Sequence, residues 1–200
     1  MSTVKSKKLQ VGTDATSSNN FTIYQPATPD GTLRIGVGNA DSPTEVGRFT
    51  SAGYKPATAP NFSVYKDNGD QTTSNGVFTK ITFNSTAEWD LTSDYDTTNH
   101  RFQPSVAGYY QINGSFSTET LTAPGRHIIS LFKNGSEYRR GNDIIVGGYS
   151  AVISIIVYMN GSTDYVELYA WQNASSGGGI RGDADGEIYT YFQGYLVQQA

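Results

Sequence analysis

From Pro60 to the C-terminus the chain is cut at short intervals by turn residues, and no stretch keeps a helical period for three turns. Five of the cuts are Asn-Gly pairs: Asn68-Gly69, Asn75-Gly76, Asn113-Gly114, Asn134-Gly135 and Asn160-Gly161. The pairs at 134 and 160 stand between two alternating runs and predict tight hairpins, because a type I′ turn needs positive φ at both central residues. Asn113-Gly114 falls inside a strand pattern, which predicts a bulge or a close backbone approach there. The runs themselves predict strands over Phe62–Lys66, Val77–Asn84, Tyr109–Thr118, His127–Lys133, Ser136–Arg140, Ser150–Met159, Tyr165–Trp171 and Ile188–Gln198, with a turning region over Ala87–Phe102. That many short strands in one segment is the number found in a sandwich or barrel.

Composition agrees with an all-β chain. Tyr (14), Phe (9), Thr, Val and Ile are frequent, good helix formers are scarce, and Gly reaches 22 in 200 residues. The formal charge is −4, and all of the acidic excess lies in residues 61–200, with eight basic and fourteen acidic groups against six and four in residues 1–60, which argues against a nucleic-acid backbone as partner. The chain has no Cys, so disulfides, thiolate metal sites and thiol catalysis are excluded and the compartment is left open. The charged N-terminus is followed by no apolar run, so neither a secretory signal nor membrane insertion is expected.

Residues 1–60 differ from the remainder. They hold five of the seven Pro but four of the 25 aromatic residues, too few for a core. Phe21–Tyr24, Leu33–Val37 and Val46–Phe49 each offer one apolar stripe with nothing nearby in the sequence to cover it. Two readings stand: a flexible polar tail, or three chains wound about one axis that cover the stripes for each other. The expected division is a flexible or docking tail over 1–20, a β-rich trimeric shaft over 21–60 and a head over 61–200.

Asp90, Tyr95, Phe102, Gly108 and Tyr110 resemble, in order and spacing, the signature of the jelly-roll heads shared by complement component 1q and tumour necrosis factor. Leu131–Gly135 is similar to that family's strand and hairpin, and Phe192-Gln-Gly194-Tyr-Leu196 to its closing strand. Phe83 stands one residue out of register, and Ile112 and Gly114 occupy positions where aromatics are usual. The likeness covers about residues 60–200 and implies an all-β jelly-roll sandwich that assembles as a homotrimer on an N-terminal stalk and binds without catalysing. Phe102, Gly108, Tyr110, Phe192 and Gly194 are its structural positions. No Gly repeat of period three exists, so the stalk is not collagenous. Residues 30–60, notably Asp30–Ile35 and Val46–Pro56, resemble connecting segments of tailed-phage fibre proteins. A virion protein assembled in the host cytoplasm also fits the lack of Cys.

The family's topology implies that the loops 67–75 and 173–186 lie at the end of the head away from the stalk. Asp67, Asn68, Asp70, Trp171, Asn173, Arg181, Asp183 and Asp185 are the binding candidates, facing a host cell-surface glycan or receptor. The other reading is that such Gly-rich loops are connections only. Arg181-Gly182-Asp183 matches the integrin-type tripeptide, which a Gly-rich chain also produces by chance. Asp183, Asp185 and Glu187 could offer oxygens to Ca²⁺, yet that ion wants six to eight, and no other cofactor is implied. His100 and His127 lack a catalytic partner pattern, and Glu88, Asp90, Asp94 and Asp96 read as turn and capping groups. The expectation is a non-enzymatic virion protein, a tail or head fibre docked through its N-terminus, with a capsid decoration protein and, last, a glycan hydrolase as alternatives.

Overall fold

The computed structural model describes residues 8–16, 19–57, 59–67, 69–83, 88–118, 125–145, 150–173, 179–182 and 186–200. The chain divides into two compact units, Met1–Ala59 and Pro60–Ala200.

In the first unit β1 (Lys8–Val11), β2 (Phe21–Tyr24), β3 (Leu33–Val37), β4 (Thr44–Thr50) and β5 (Gly53–Pro56) form one antiparallel sheet in chain order. The register sets Leu9 opposite Ile23, Val11 opposite Phe21, Ile23 opposite Ile35, Leu33 opposite Phe49 and Phe49 opposite Tyr54. The β4–β5 hairpin turns through Ser51-Ala52 into Gly53, whose φ of 112° suits a residue without a Cβ.

The second unit is a sandwich of two antiparallel sheets. Its strands are β6 (Asn61–Tyr65), β7 (Thr79–Lys80), β8 (Trp89–Asp90), β9 (Tyr95–Asp96), β10 (Arg101–Phe102), β11 (Ala107–Phe116), β12 (Arg126–Lys133), β13 (Ser136–Ile145), β14 (Ala151–Asn160), β15 (Val166–Gln172) and β16 (Tyr191–Gln199). One sheet runs β14-β11-β16-β6-β8, the other β13-β12-β15-β10-β9, with β7 also on β15. The chain crosses between sheets from β11 to β12, from β13 to β14, and again into β15 and β16, so spatial neighbours are not sequence neighbours. This wrapping is the jelly-roll order. At one edge the sheets meet where Asn142 Oδ1 accepts the Val152 amide at 2.6 Å.

The period of two sorts side chains between core and surface. In β14, Ala151, Ile153, Val157 and Met159 are buried while Val152, Ile156 and Tyr158 face out. The centre of the core is aromatic. Phe62 meets Phe102, Tyr95 and Phe192 at ring-centroid distances of 4.3, 5.3 and 4.8 Å, and Phe102 meets Tyr110 edge-on at 5.6 Å. Full burial of each such side chain stabilises the fold by roughly 1.5–3 kcal/mol. Asp90 accepts the amides of Asp94 and Tyr95 at 3.0 and 2.8 Å, and the buried Tyr110 hydroxyl donates to the Val106 carbonyl at 2.6 Å. The motif residues are thus core and capping groups.

Local departures from the sequence reading have physical causes. Asn134 and Gly135 have φ of 52° and 77°, the tight hairpin predicted. At Asn160-Gly161 only Gly161 has positive φ, because Asn160 Oδ1 instead accepts the amides of Ser162, Thr163 and Asp164 and holds a longer loop. Gly114 carries no bulge; a Cβ there would stand 2.7 Å from Leu168 Cδ2, so the close approach comes from the opposite sheet. The irregularity of β11 against β16 falls at Tyr109/Tyr110. Among the described residues of Val77–Asn84 the strand is cut to Thr79–Lys80, paired with Tyr169 and Ala170, with one further bond from the Ile81 amide to the Leu168 carbonyl; Phe102 of β10 takes the same edge of β15 at Val166.

Candidate functional site

The outer face of the β14-β11-β16-β6-β8 sheet is built from the residues that alternate with the core. β11 sets Tyr109 opposite Tyr158, Gln111 opposite Ile156 and Ser115 opposite Val152, and on its other side Gln111 opposite Tyr195. Inward places on these strands go to Tyr110, Ile112, Val157 and Phe192, so this second set has no room in the core. Val152, Ile156, Tyr158, Tyr109 and Tyr195 are exposed, and Tyr109 and Tyr158 touch at a centroid distance of 5.5 Å. The Lys133 ammonium donates to the Tyr158 carbonyl at 2.7 Å and closes one border of the patch.

Beside this row the sheet holds a cleft of about 500 Å³. It is lined by Asn61, Phe62, Trp89, Leu91, Asn113, Gln193, Gly194 and Tyr195. Gly194 is required, since a Cβ there would come within 2.6 Å of Ile112 Cδ1 and 3.0 Å of the Gln111 carbonyl. Trp89 is 57% and Leu91 75% exposed, too open for core residues. The sequence reading missed both, placing them in a turning region; the signal was two large apolar side chains in a segment with no alternation to bury them.

The described loop candidates Asp67, Asp70, Asn173 and Arg181 lie at the other end of the sandwich. β16 ends beside the start of β6, where the Leu196 amide donates to the Pro60 carbonyl, so the loop after β6 lies opposite Pro60. The Gln71 and Ile180 backbones exchange two hydrogen bonds of 2.8 Å, and the Gly182 amide donates to Asp70 Oδ1 at 2.9 Å. Gly182 packs so tightly on the Gly69 backbone that a Cβ would clash with its carbonyl. The Arg181 guanidinium lies 4.2 Å from the Tyr189 ring centre, and the Tyr189 hydroxyl donates to Glu187 Oε2 at 2.7 Å. Asp67 and Asp70 are exposed, and Lys66 is buried at the base of the loop. Burial holds the Lys66 ammonium below its ordinary pKa, opposed by the charges of Asp70 and Asp67. Asn173 is exposed, its side-chain oxygen accepting the Arg126 amide at 2.7 Å. Trp171 lies within β15, half-buried, with Arg126 over its ring at 5.7 Å. Asn68, Asp183 and Asp185 lie outside the described residues, and with them two of the three Ca²⁺ candidates.

Titratable groups elsewhere serve the fold. Asp94 accepts the Ser105 amide at 3.1 Å, Asp96 the amides of Thr98 and Asn99, and Glu88 the Ser63 hydroxyl. His127 is fully buried against Phe116, and His100 Nδ1 lies 3.0 Å from the Phe83 carbonyl. Among the described residues no three His, Asp or Glu side chains are grouped to hold a metal ion.

No family model matches the chain, and no curated protein matches it. Solved structures to which it is similar include the globular domain of zebrafish complement 1qA (18% identity, 72% of this chain and 100% of that one, TM-score 0.49). Murine APRIL is similar at 10% identity over 70% of this chain and 100% of that one, TM-score 0.49. The Eiger tumour necrosis factor of S. frugiperda is similar at 8% identity over 71% and 94%, TM-score 0.49. These neighbours are complement 1q and tumour necrosis factor-like domains. The jelly-roll order of the second unit is read from its own strands.

Proposed function

We propose that the chain is a non-catalytic attachment protein of fibre type, a virion component of a tailed phage, that works as a homotrimer. Its second unit associates through the outer face of the β14-β11-β16-β6-β8 sheet and offers its far-end loops to a host cell-surface glycan. The observation that carries this reading is the row Val152, Ile156, Tyr158, Tyr109 and Tyr195, exposed on a sheet whose other face is already packed. Soluble monomers seldom leave a large contiguous apolar patch in water, and tyrosine and tryptophan are enriched where proteins associate. The cleft lined by Trp89 and Tyr195 adds a concave surface for a side chain of a neighbouring copy.

The likeness read in the sequence implies three copies, and three copies strengthen a weak loop contact through avidity. Asp67, Asp70, Asn173 and Arg181 supply the polar groups that sugar hydroxyls need, and the fibre-like sequence of residues 30–60 supports the virion setting. The test is a competition assay with the purified full chain. Labelling of host cells together with blocked phage adsorption supports attachment. Binding to isolated capsids without cell labelling points to a decoration protein, and release of reducing ends from host polysaccharide points to a hydrolase; either result removes the proposal.

A further inference from the structure

The first unit is a single sheet, and stable domains are built from at least two packed layers. Residues paired across strands share a face, and residues adjacent along a strand do not. The register therefore makes one face apolar from β1 to β5, running from Leu9 and Val11 through Ile23 and Ile35 to Phe49 and Tyr54. The opposite face is charged: Arg34 and Arg48, paired across β3 and β4, both hold Glu45, at 3.2 and 2.6 Å, and Lys55 stands opposite Arg48. Arg34 and Arg48 are satisfied on that face by Glu45 and Asp30. Among the described residues nothing covers the apolar face, where Leu9, Val11, Phe21, Leu33, Phe49 and Tyr54 are between 46% and 59% exposed.

We infer that this face is covered by the same face of two further copies of the chain, three single-layer sheets forming the walls of a closed β-prism with its apolar side inward. Covering six half-exposed side chains of this size removes on the order of 500–700 Å² per copy from water, most of the roughly 800 Å² per partner of a standard interface. Packing the apolar face on a neighbour's charged face would instead strip water from Arg34, Arg48 and Lys55 without new partners. The inference rests on the self-association proposed above but uses a different surface. Residues 57–60 are all that separate β5 from β6, so association of the second units holds the sheets at about millimolar effective concentration.

The absence of Cys makes single-cysteine variants unambiguous. Full-length Leu33→Cys, on the apolar face, and Lys55→Cys, on the charged face, are treated with a bis-maleimide spanning about 10 Å, the spacing of packed sheets, while sedimentation gives the mass. The expected result is efficient covalent joining of Leu33→Cys copies and at least about tenfold less for Lys55→Cys. A trimer in which the two variants react alike, or not at all, overturns the prism and leaves association of the second units standing. A monomeric mass overturns both.

Discussion

Phe62 lies face to face with Phe102, ring centroids 4.3 Å apart and planes 23° from parallel. The contact ties β6 of one sheet to β10 of the other, and both rings are fully buried. Phe102→Ala leaves a cavity between the sheets, and the expected cost is about 3–5 kcal/mol of unfolding free energy. Urea denaturation checks it: the midpoint falls while the slope against denaturant stays that of the parent.

Gly108→Val tests the next turn of the same motif. A Cβ at Gly108 would stand 2.5 Å from the Gln198 carbonyl and 2.6 Å from Leu196 Cδ1, and the carbonyl belongs to a ladder that cannot easily retreat. The expected outcome is loss of about 3 kcal/mol or more, or recovery only as insoluble protein. Thermal melting followed by circular dichroism reads it, and a Tm equal to the parent's contradicts the placement.

Tyr158→Lys separates association from folding. Its side chain is exposed, with the Tyr109 ring and the Lys133 ammonium as its neighbours, whereas a lysine covered by an apolar interface beside Lys133 is left without a partner. The expected effect is association weakened by about 30-fold or more with an unchanged far-ultraviolet spectrum. Arg181→Ala, at the far end of the unit, leaves the mass unchanged.

Asp30 predicts a pH dependence confined to the first unit. The Thr32 hydroxyl and then the Arg34 guanidinium hold its carboxyl at about 2, below the ordinary 3.8. A carboxylate depressed in the folded state adds stability that is complete above the unfolded value and is lost as pH falls from about 4 to about 2. Carbon-detected titration of the Asp30 carboxyl checks the midpoint, and Thr32→Val is expected to raise it toward 3.8.

Much of the fold was legible because alternation reports burial directly. β6, β11, β12, β14 and β15 fall within two residues of their predicted bounds, and Asn134-Gly135 announces its hairpin by chemistry alone. Other features depend on competition that a single strand does not display. β13 runs on to Ile145 through residues exposed on almost every position, so no period marks it. Ile81 and Phe83 alternate like a strand and are fully buried, yet past the two-residue β7 only the Ile81 amide bonds to β15, at the Leu168 carbonyl, among the described residues. The grouping of Asp67, Asp70, Asn173 and Arg181 came from the family likeness rather than from any pattern in the loops themselves, and Asn68, Asp183 and Asp185 lie outside the described residues. The cleft was not legible: Trp89, Asn113, Gln193 and Tyr195 come from three strands and meet only through register.

Sedimentation equilibrium on the full chain is the most direct measurement of the central claim, that the exposed tyrosine face is an interface between copies. The account predicts one species of about three times 21.7 kDa for the parent and a shift toward 21.7 kDa for Tyr158→Lys. A parent chain that stays at 21.7 kDa across the concentration range contradicts it.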